Sequence, residues 1–305
     1  MPRRRHWFDL DDEAAARPDV AVLGLPWVGG ANRRAGAALA PQRLRELSTT
    51  SDPNDRRGRP VEGLSLRDYG DVAPVDGAGR NLPWPEYVDA ATARLAAIPR
   101  EAFTLLLGGD NSVSIAGLTT FAQRHGRDCG VIWFDAHADL FESYDGNPDS
   151  HACALRRAMT LAGMPPSRAV LLGTRSLSHE ERRFIADNGI AMVTASEWLA
   201  SPAEAIAERV ARRLAGCPAV YLAVDIDGFD ASCAPGTGYP MPGGVQAETF
   251  FLLLERLFQR LPVRGMDVTE IAPPLDNNDV TAFLGVQVVL ETLGALAARR
   301  SSPLR

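Results

Sequence analysis

Asp135-Ala136-His137-Ala138-Asp139 and Asp225-Ile226-Asp227 supply four carboxylates and one imidazole from two short stretches of chain. Each stretch follows an apolar run, Val131-Ile132-Trp133-Phe134 before the first and Ala219-Val220-Tyr221-Leu222-Ala223-Val224 before the second. Charged groups placed directly after a buried strand are costly to desolvate unless they are paired or bind a metal. Several carboxylates converging on one point repel each other, and a divalent cation, or a pair of them, removes that repulsion. Carboxylate, imidazole and water ligands suit Mn²⁺, with Zn²⁺, Fe²⁺ or Ni²⁺ as further candidates.

Side chains alternate across an extended strand, so Asp135, His137 and Asp139 share one side, as do Asp225 and Asp227. After Asp227 the chain runs through Gly228-Phe229-Asp230 into Pro235-Gly236-Thr237-Gly238 and Pro240-Met241-Pro242-Gly243-Gly244. That composition dictates a long irregular turn, a pocket wall, in which Asp230 pins the turn rather than binding metal. Gly108-Gly109-Asp110-Asn111-Ser112 follows the apolar Leu105-Leu106-Leu107. Taken alone it reads as a strand-to-helix turn capped by Asp or Asn, with glycines that let the backbone bend sharply. His151, after Ser150, becomes a candidate proton shuttle once a metal site lies nearby. Met266-Asp267-Val268-Thr269-Glu270 is another strand ending in an acid. Glu270 could hold a cationic substrate through a charge-assisted pair, while Asp267 could instead be structural.

The elements that must position these groups alternate. Candidate strands are Val20–Leu25, Phe103–Leu107, Gly130–Phe134, Ala169–Leu172, Ala191–Val193, Val220–Val224 and Val263–Val268. Helix-like stretches such as Pro85–Ala97, Glu180–Asn188, Pro202–Leu214 and Glu248–Arg260 lie between them, with apolar residues at helical spacing. The alternation predicts an α/β fold: a three-layer α-β-α sandwich with a mainly parallel central sheet. Ligands bind at the carboxyl ends of such strands, where every charged motif here sits. Residues 50–85 read as loop-rich surface excursions, and Ser301–Arg305 as a frayed tail.

A chain of 305 residues is normal for a one-domain α/β enzyme. Its net charge of −6, with both signs mixed along the chain, gives no footprint for nucleic acid or an anionic membrane. Arg3-Arg4-Arg5 is followed by acids rather than an apolar segment, so it is not a secretory signal. No uninterrupted apolar stretch approaches bilayer-spanning length. Four scattered cysteines without CxxC spacing read as reduced thiols in a cytoplasmic protein.

The order DAHAD, DIDGFD, PGTGYPMPGG and GMDVTEIAPPLD resembles the ureohydrolases of the arginase/agmatinase family. The similarity runs from Asn32-Arg33-Arg34-Ala35-Gly36-Ala37 and Pro41-Gln42-Arg43-Leu44-Arg45-Glu46, through Asp68-Tyr69-Gly70-Asp71, to residues 265–276. It is closer to the agmatinase and guanidino-acid hydrolase branch than to arginase itself. The resemblance implies one ureohydrolase domain over 1–305, an arginase-like fold, a trimer or hexamer, and a dinuclear Mn²⁺ site. Asp135 and Asp225 would bridge both ions. His137 and Asp227 would complete one ion's ligands, and Asp139 with the residue at position 111 the other's. His151 matches the family's proton-shuttle histidine and Glu270 the glutamate that orients the guanidinium. A hydroxide bridging the metals would attack the guanidinium carbon, giving urea and an amine.

Two positions depart from the family pattern. Its glycine-rich motif ends in a metal-binding histidine, where this chain has Asn111, a poorer donor than imidazole to Mn²⁺. A working pair with a labile second ion, a one-metal enzyme and a catalytically impaired member with a binding or regulatory role are the three outcomes this leaves open. Ala152 stands where the family has glycine. The Leu140–Ser150 loop lacks the arginase pattern for an amino-acid carboxylate, which disfavours free L-arginine. Its acids Glu142, Asp145 and Asp149 suit a doubly cationic substrate such as agmatine, with Asp149 a candidate substrate contact. Arg156, Arg157 or Arg175 could instead meet a carboxylate, favouring a guanidino acid or a formiminoglutamate-type C–N hydrolysis at the same site.

Overall fold

The computed structural model describes residues 6–29 and 36–301. Arg3-Arg4-Arg5, the Asn32–Ala35 part of the family-like opening and the tail after Ser301 lie outside them.

The strands are β1 (Val20–Leu25), β2 (Leu66–Asp71), β3 (Phe103–Gly108), β4 (Gly130–Phe134), β5 (Ala169–Thr174), β6 (Ala191–Thr194), β7 (Val220–Asp225) and β8 (Val263–Thr269). They form one sheet in the order β2-β1-β3-β8-β7-β4-β5-β6, and every pairing is parallel. The central strands are buried on both faces, which is why they read as continuous apolar runs.

Helices cover both faces. On one lie α1 (Ala40–Ser48), α6 (Ala195–Leu199), α7 (Ala203–Arg213), α8 (Ala247–Arg260) and α9 (Val280–Ser301), packed on a core that includes Leu44, Trp198, Val210, Phe250, Leu254 and Val289. On the other lie α2 (Trp84–Ala96), α3 (Val113–His125), α4 (Ala154–Ala162) and α5 (His179–Asn188), around Tyr87, Leu118, Leu155 and Ile185. The expected three-layer sandwich with a parallel sheet is therefore present, and the expected strands and helices agree with it to within a few residues.

Two readings need correction. The 50–85 segment contains an edge strand, β2, whose sequence Leu-Arg-Asp-Tyr-Gly-Asp lacks an apolar alternation. Its acids are neutralised instead: Arg45 reaches Asp68 at 2.6 and 2.9 Å and Asp71 at 2.6 Å, and the Trp7 indole donates to Asp68 at 2.6 Å. α9 is long and apolar enough, by length and composition, to cross a bilayer. Ala282, Val286, Val288, Val289, Leu290 and Leu293 are all buried within the protein, so its apolarity is that of a core helix.

The topology decides where the site forms. β7 and β8 are inserted between β3 and β4, so four consecutive strands of the sheet centre, β3-β8-β7-β4, end side by side. All the charged motifs follow these four strands, the crevice where an open parallel sheet binds its ligand.

Candidate metal centre and active site

The DAHAD and DIDG stretches meet across the β4–β7 pair. His137 Nδ1 lies 3.1 Å from Asp227 Oδ2 and 3.4 Å from Asp135 Oδ1. One donor atom from each of Asp135, His137 and Asp227 lies within 4.8 Å of the other two, an arrangement able to hold a metal ion. The carboxylates are held from behind. Asp135 accepts from the His137 backbone N–H at 2.6 Å and from the Trp133 indole at 3.0 Å, and Asp227 accepts from the Ala136 N–H at 3.2 Å. These donors fix the acids while leaving the imidazole, which has 27% of its side-chain surface exposed, facing the opening.

The glycine-rich turn brings in Asn111. Gly109 packs so closely on Trp27 that an added Cβ would lie 1.9 Å from the Trp27 carbonyl oxygen, so only glycine lets the turn close. The Asn111 side-chain nitrogen then sits 3.1 Å from Asp135, 2.8 Å from Asp139 and 2.9 Å from Asp225. Carboxylate oxygens accept, so the amide end facing them is NH₂. The amide oxygen accepts from the Thr269 hydroxyl at 2.7 Å. Asp139 and Glu270 both adopt left-handed backbone conformations, φ 52° and 64°. Such geometry at non-glycine residues is strained and clusters at functional sites. Glu270 is tied to the same turn: its carboxylate accepts from the Asn111 N–H at 2.9 Å, and its own N–H donates to the Gly109 carbonyl at 2.8 Å.

Burial sets the electrostatics. It pushes the Asp135 carboxyl up to about 7, helped by the Asp227 charge and opposed by His137. Burial also raises Asp139 and Asp225, with Asp135 adding to the first and Asp227 and Asp135 to the second. Glu270 is raised by burial and by Asp110. Asp227 moves down despite its burial, because the His137 ring favours its charged form. Burial disfavours the charged imidazole, yet Asp227 and Asp135 together raise His137 to about 12. Asp135 and Asp227 shift in opposite directions beside the same ring, consistent with the shorter distance to Asp227. A crowd of buried acids with raised pKa values is a site short of positive charge, which a divalent cation would supply.

A cavity of about 330 Å³ opens over these groups. Asn111, His137, Asp139, Asp225, Asp227 and Glu270 line its floor, and Phe141, Tyr144, His151, Leu177, Glu181 and Tyr239 line its walls and mouth. His151 begins the short turn before α4 and stacks on Tyr239, with ring centroids 5.6 Å apart. Asp135 is buried beneath the floor.

Not every expected contact is at the cavity. Asp149 pairs with Arg157 at 2.7 Å and is not among the lining residues. Arg156 pairs with Glu142 and Glu180 at 3.1 and 3.2 Å. Arg175 donates to the carbonyls of Asp227, Gly228, Phe229 and Met241, pinning the glycine/proline turn. Asp230 accepts from the Gly243 and Gly244 N–H groups at 2.7 and 2.9 Å and so holds that turn, as expected. Asp267 is buried below the site, bonded to the Tyr221 hydroxyl at 2.8 Å, in the structural role left open for it.

Sequence reasoning missed Trp133, Thr269, Tyr239 and Glu181. Glu181 could have been found, because Ser178-His179-Glu180-Glu181 has the spacing of a capping box. Its buried carboxylate accepts from the Ser178 and Leu140 N–H groups. Nothing in the sequence marks Thr269 or Tyr239, whose roles depend on what the fold sets beside them.

Residues 18–294 match the sequence profile of the arginase family. The chain belongs to the arginase family. It is similar to proclavaminate amidinohydrolase of Streptomyces clavuligerus, 31% identical over 286 residues covering 90% of this chain and 87% of that protein. The solved structure of that enzyme superposes with a TM-score of 0.86 at 28% identity, covering 97% of this chain and 99% of the other. Guanidinopropionase of Pseudomonas aeruginosa is 32% identical over 289 residues, 91% of this chain and 86% of that protein. Agmatinase of Bacillus subtilis is 31% identical over 288 residues, 92% of this chain and 94% of that protein.

Proposed function

We propose that this arginase-family protein is a Mn²⁺-dependent amidinohydrolase that releases urea from a guanidino compound other than free arginine, with agmatine its best-fitting substrate. The observation that carries the reading is the convergence of His137, Asp227, Glu270 and His151 on one cavity, with Asp135 grouped with His137 and Asp227 beneath it. Asp135, His137 and Asp227 would hold a divalent ion. Bound there, such an ion supplies a water that ionises near neutral pH.

The chain's own residues do the rest. Glu270 offers a buried carboxylate to the guanidinium, and the Asn111 N–H holds one of its oxygens in place. Water adds to the guanidinium carbon, the bond from that carbon to the alkyl nitrogen breaks, and His151 delivers a proton to the departing amine. Stacking on Tyr239 orients the His151 ring over the cavity. The products are urea and an amine.

Agmatine is favoured over guanidino acids by the walls. Every permanent side-chain cation in this lysine-free chain is an arginine, and among the described residues none lines the cavity. Among the described residues a substrate carboxylate would meet no arginine there, but the hydroxyls of Ser176 and Ser178, the His151 ring, the aromatic Phe141, Tyr144 and Tyr239, and the acid Glu181. An ammonium tail would meet an acceptor in Glu181. Arg156, Arg157 and Arg175, the alternative that would favour a guanidino acid or formiminoglutamate, are engaged elsewhere. Homo-oligomer assembly fits the exposed Leu39, Leu275, Val280 and Phe283, carried on segments that the Arg43–Asp279 ion pair brings together.

The test is kcat/KM for urea release by the Mn²⁺-loaded protein with agmatine, guanidinobutyrate, guanidinopropionate, arginine and hydroxyarginine. Agmatine is expected to lead. A guanidino acid leading would refute the assignment of the tail, and formamide from formiminoglutamate without urea from any member would establish the C–N hydrolase alternative.

A further inference from the structure

The site has two poles, and the structure treats them differently. At the first, Asp135, His137 and Asp227 present oxygen and nitrogen donors to a common point. At the second, Asp135, Asp139 and Asp225 converge on a nitrogen that bears hydrogens. The Asn111 NH₂ group lies 2.8–3.1 Å from one oxygen of each acid. An NH₂ group cannot ligate a cation.

The amide is locked in that orientation from behind. The Thr269 hydroxyl donates to Asn111 Oδ1 at 2.7 Å, and the Ser114 hydroxyl approaches the same oxygen at 3.5 Å. Thr269 ends β8 and Asn111 follows β3, so two neighbouring strands fix the contact. Asn111 is 2% exposed and Thr269 fully buried, so the contact between them is held inside the protein. Admitting an ion at the second pole would require the amide to rotate by half a turn. The two NH₂ hydrogens, shared among the three acids, would lose their acceptors, and the Thr269 proton would need a new one. The gain would be one neutral amide oxygen, a weak ligand for Mn²⁺.

We propose that the centre binds a single metal ion, at Asp135–His137–Asp227, and that the Asn111 carboxamide replaces the second ion by holding Asp135, Asp139 and Asp225 together through hydrogen bonds. The inference rests on the metal-hydrolase reading above. One ion leaves the buried acids with an excess of negative charge, and a cationic guanidinium entering the cavity offsets part of it. Substrate charge thus does at this site some of what a second metal would do.

The experiment is metal stoichiometry of the full-length protein, stripped with chelator and titrated with Mn²⁺, read by calorimetry and by electron paramagnetic resonance. Wild type is expected to bind one tight ion per chain, with the hyperfine pattern of an isolated Mn²⁺. Asn111→His is expected to bind two and to show the broadened signal of an exchange-coupled pair. Asp139→Asn, which leaves the first pole untouched, is expected to keep the single tight ion of wild type, whereas Asp227→Asn loses it. Two tight ions in wild type, or loss of an ion on Asp139→Asn, would overturn the single-ion inference and leave the hydrolase reading standing. Mn²⁺ bound by neither wild type nor Asn111→His would overturn both.

Discussion

The two poles of the site share a sheet and a supply of buried carboxylates, and differ in the non-acidic side chain set among them. Where an imidazole lies between Asp135 and Asp227, the geometry is that of a metal ligand set. Where a carboxamide lies among Asp135, Asp139 and Asp225, it is that of a hydrogen-bonded cluster. Both answer the same problem, because buried acids brought together need positive charge or donors. A lone-pair donor such as imidazole invites an ion to solve it. An amide NH₂ solves it within the protein. The ligand capacity of a carboxylate cluster is therefore set as much by the one non-acidic neighbour as by the number of acids.

The comparison can be broken most decisively at the first pole. Asp227→Asn removes the charge closest to His137, and both Mn²⁺ affinity and urea release should fall by more than about 100-fold, measured by metal titration and a urea assay. Unchanged activity would show that the chemistry lies elsewhere. Glu270→Gln keeps the shape of the guanidinium contact and removes its charge. It should lower kcat/KM by roughly 10–100-fold while leaving metal affinity near wild type, since one charge-assisted hydrogen bond contributes about 1.5–3 kcal/mol.

Acidity offers a smaller and graded perturbation. A bound metal needs Asp135 ionised and His137 neutral, whereas in the metal-free protein Asp135 keeps its proton up to about 7 and His137 up to about 12. Protons therefore compete with the ion, and apparent Mn²⁺ affinity should rise with pH through neutrality, by up to about tenfold per pH unit for each proton displaced. Titrations on either side of neutral pH check the sign. A flat profile would mean that the ion is not held by these groups.

At the cavity wall, Glu181→Gln preserves the capping box, which accepts either residue at that position. It should raise KM for agmatine by about tenfold or less and leave kcat nearly unchanged. At Asp149, by contrast, replacement with Asn breaks a partly exposed pair with Arg157 away from the cavity, and kcat/KM should stay within about twofold of wild type.

Much of this was legible in the sequence for an identifiable reason. The strands that carry the site are buried on both faces, so Val131–Phe134 and Val220–Val224 announce themselves as apolar runs, and the acids that follow must lie at their carboxyl ends. β2 was not legible, because an edge strand whose charges are met by Arg45 and Trp7 has no apolar signature. The resemblance singled Asn111 out, but not what its side chain would do. Which way an amide points depends on Thr269, 158 residues away in the chain, and on three acids arriving from two other strands. The acidic loop misled for the complementary reason. Its charges are conspicuous in sequence, yet Glu142 and Asp149 are satisfied by Arg156 and Arg157, while the acid that reaches the cavity, Glu181, sits on α5.

The most direct test of the central claim is urea production from agmatine by the Mn²⁺-loaded wild-type protein, run beside Asp227→Asn under the same metal load. The account predicts urea from the first and its loss in the second. Confirmed Mn²⁺ binding with no urea from agmatine or any other guanidino compound would contradict it.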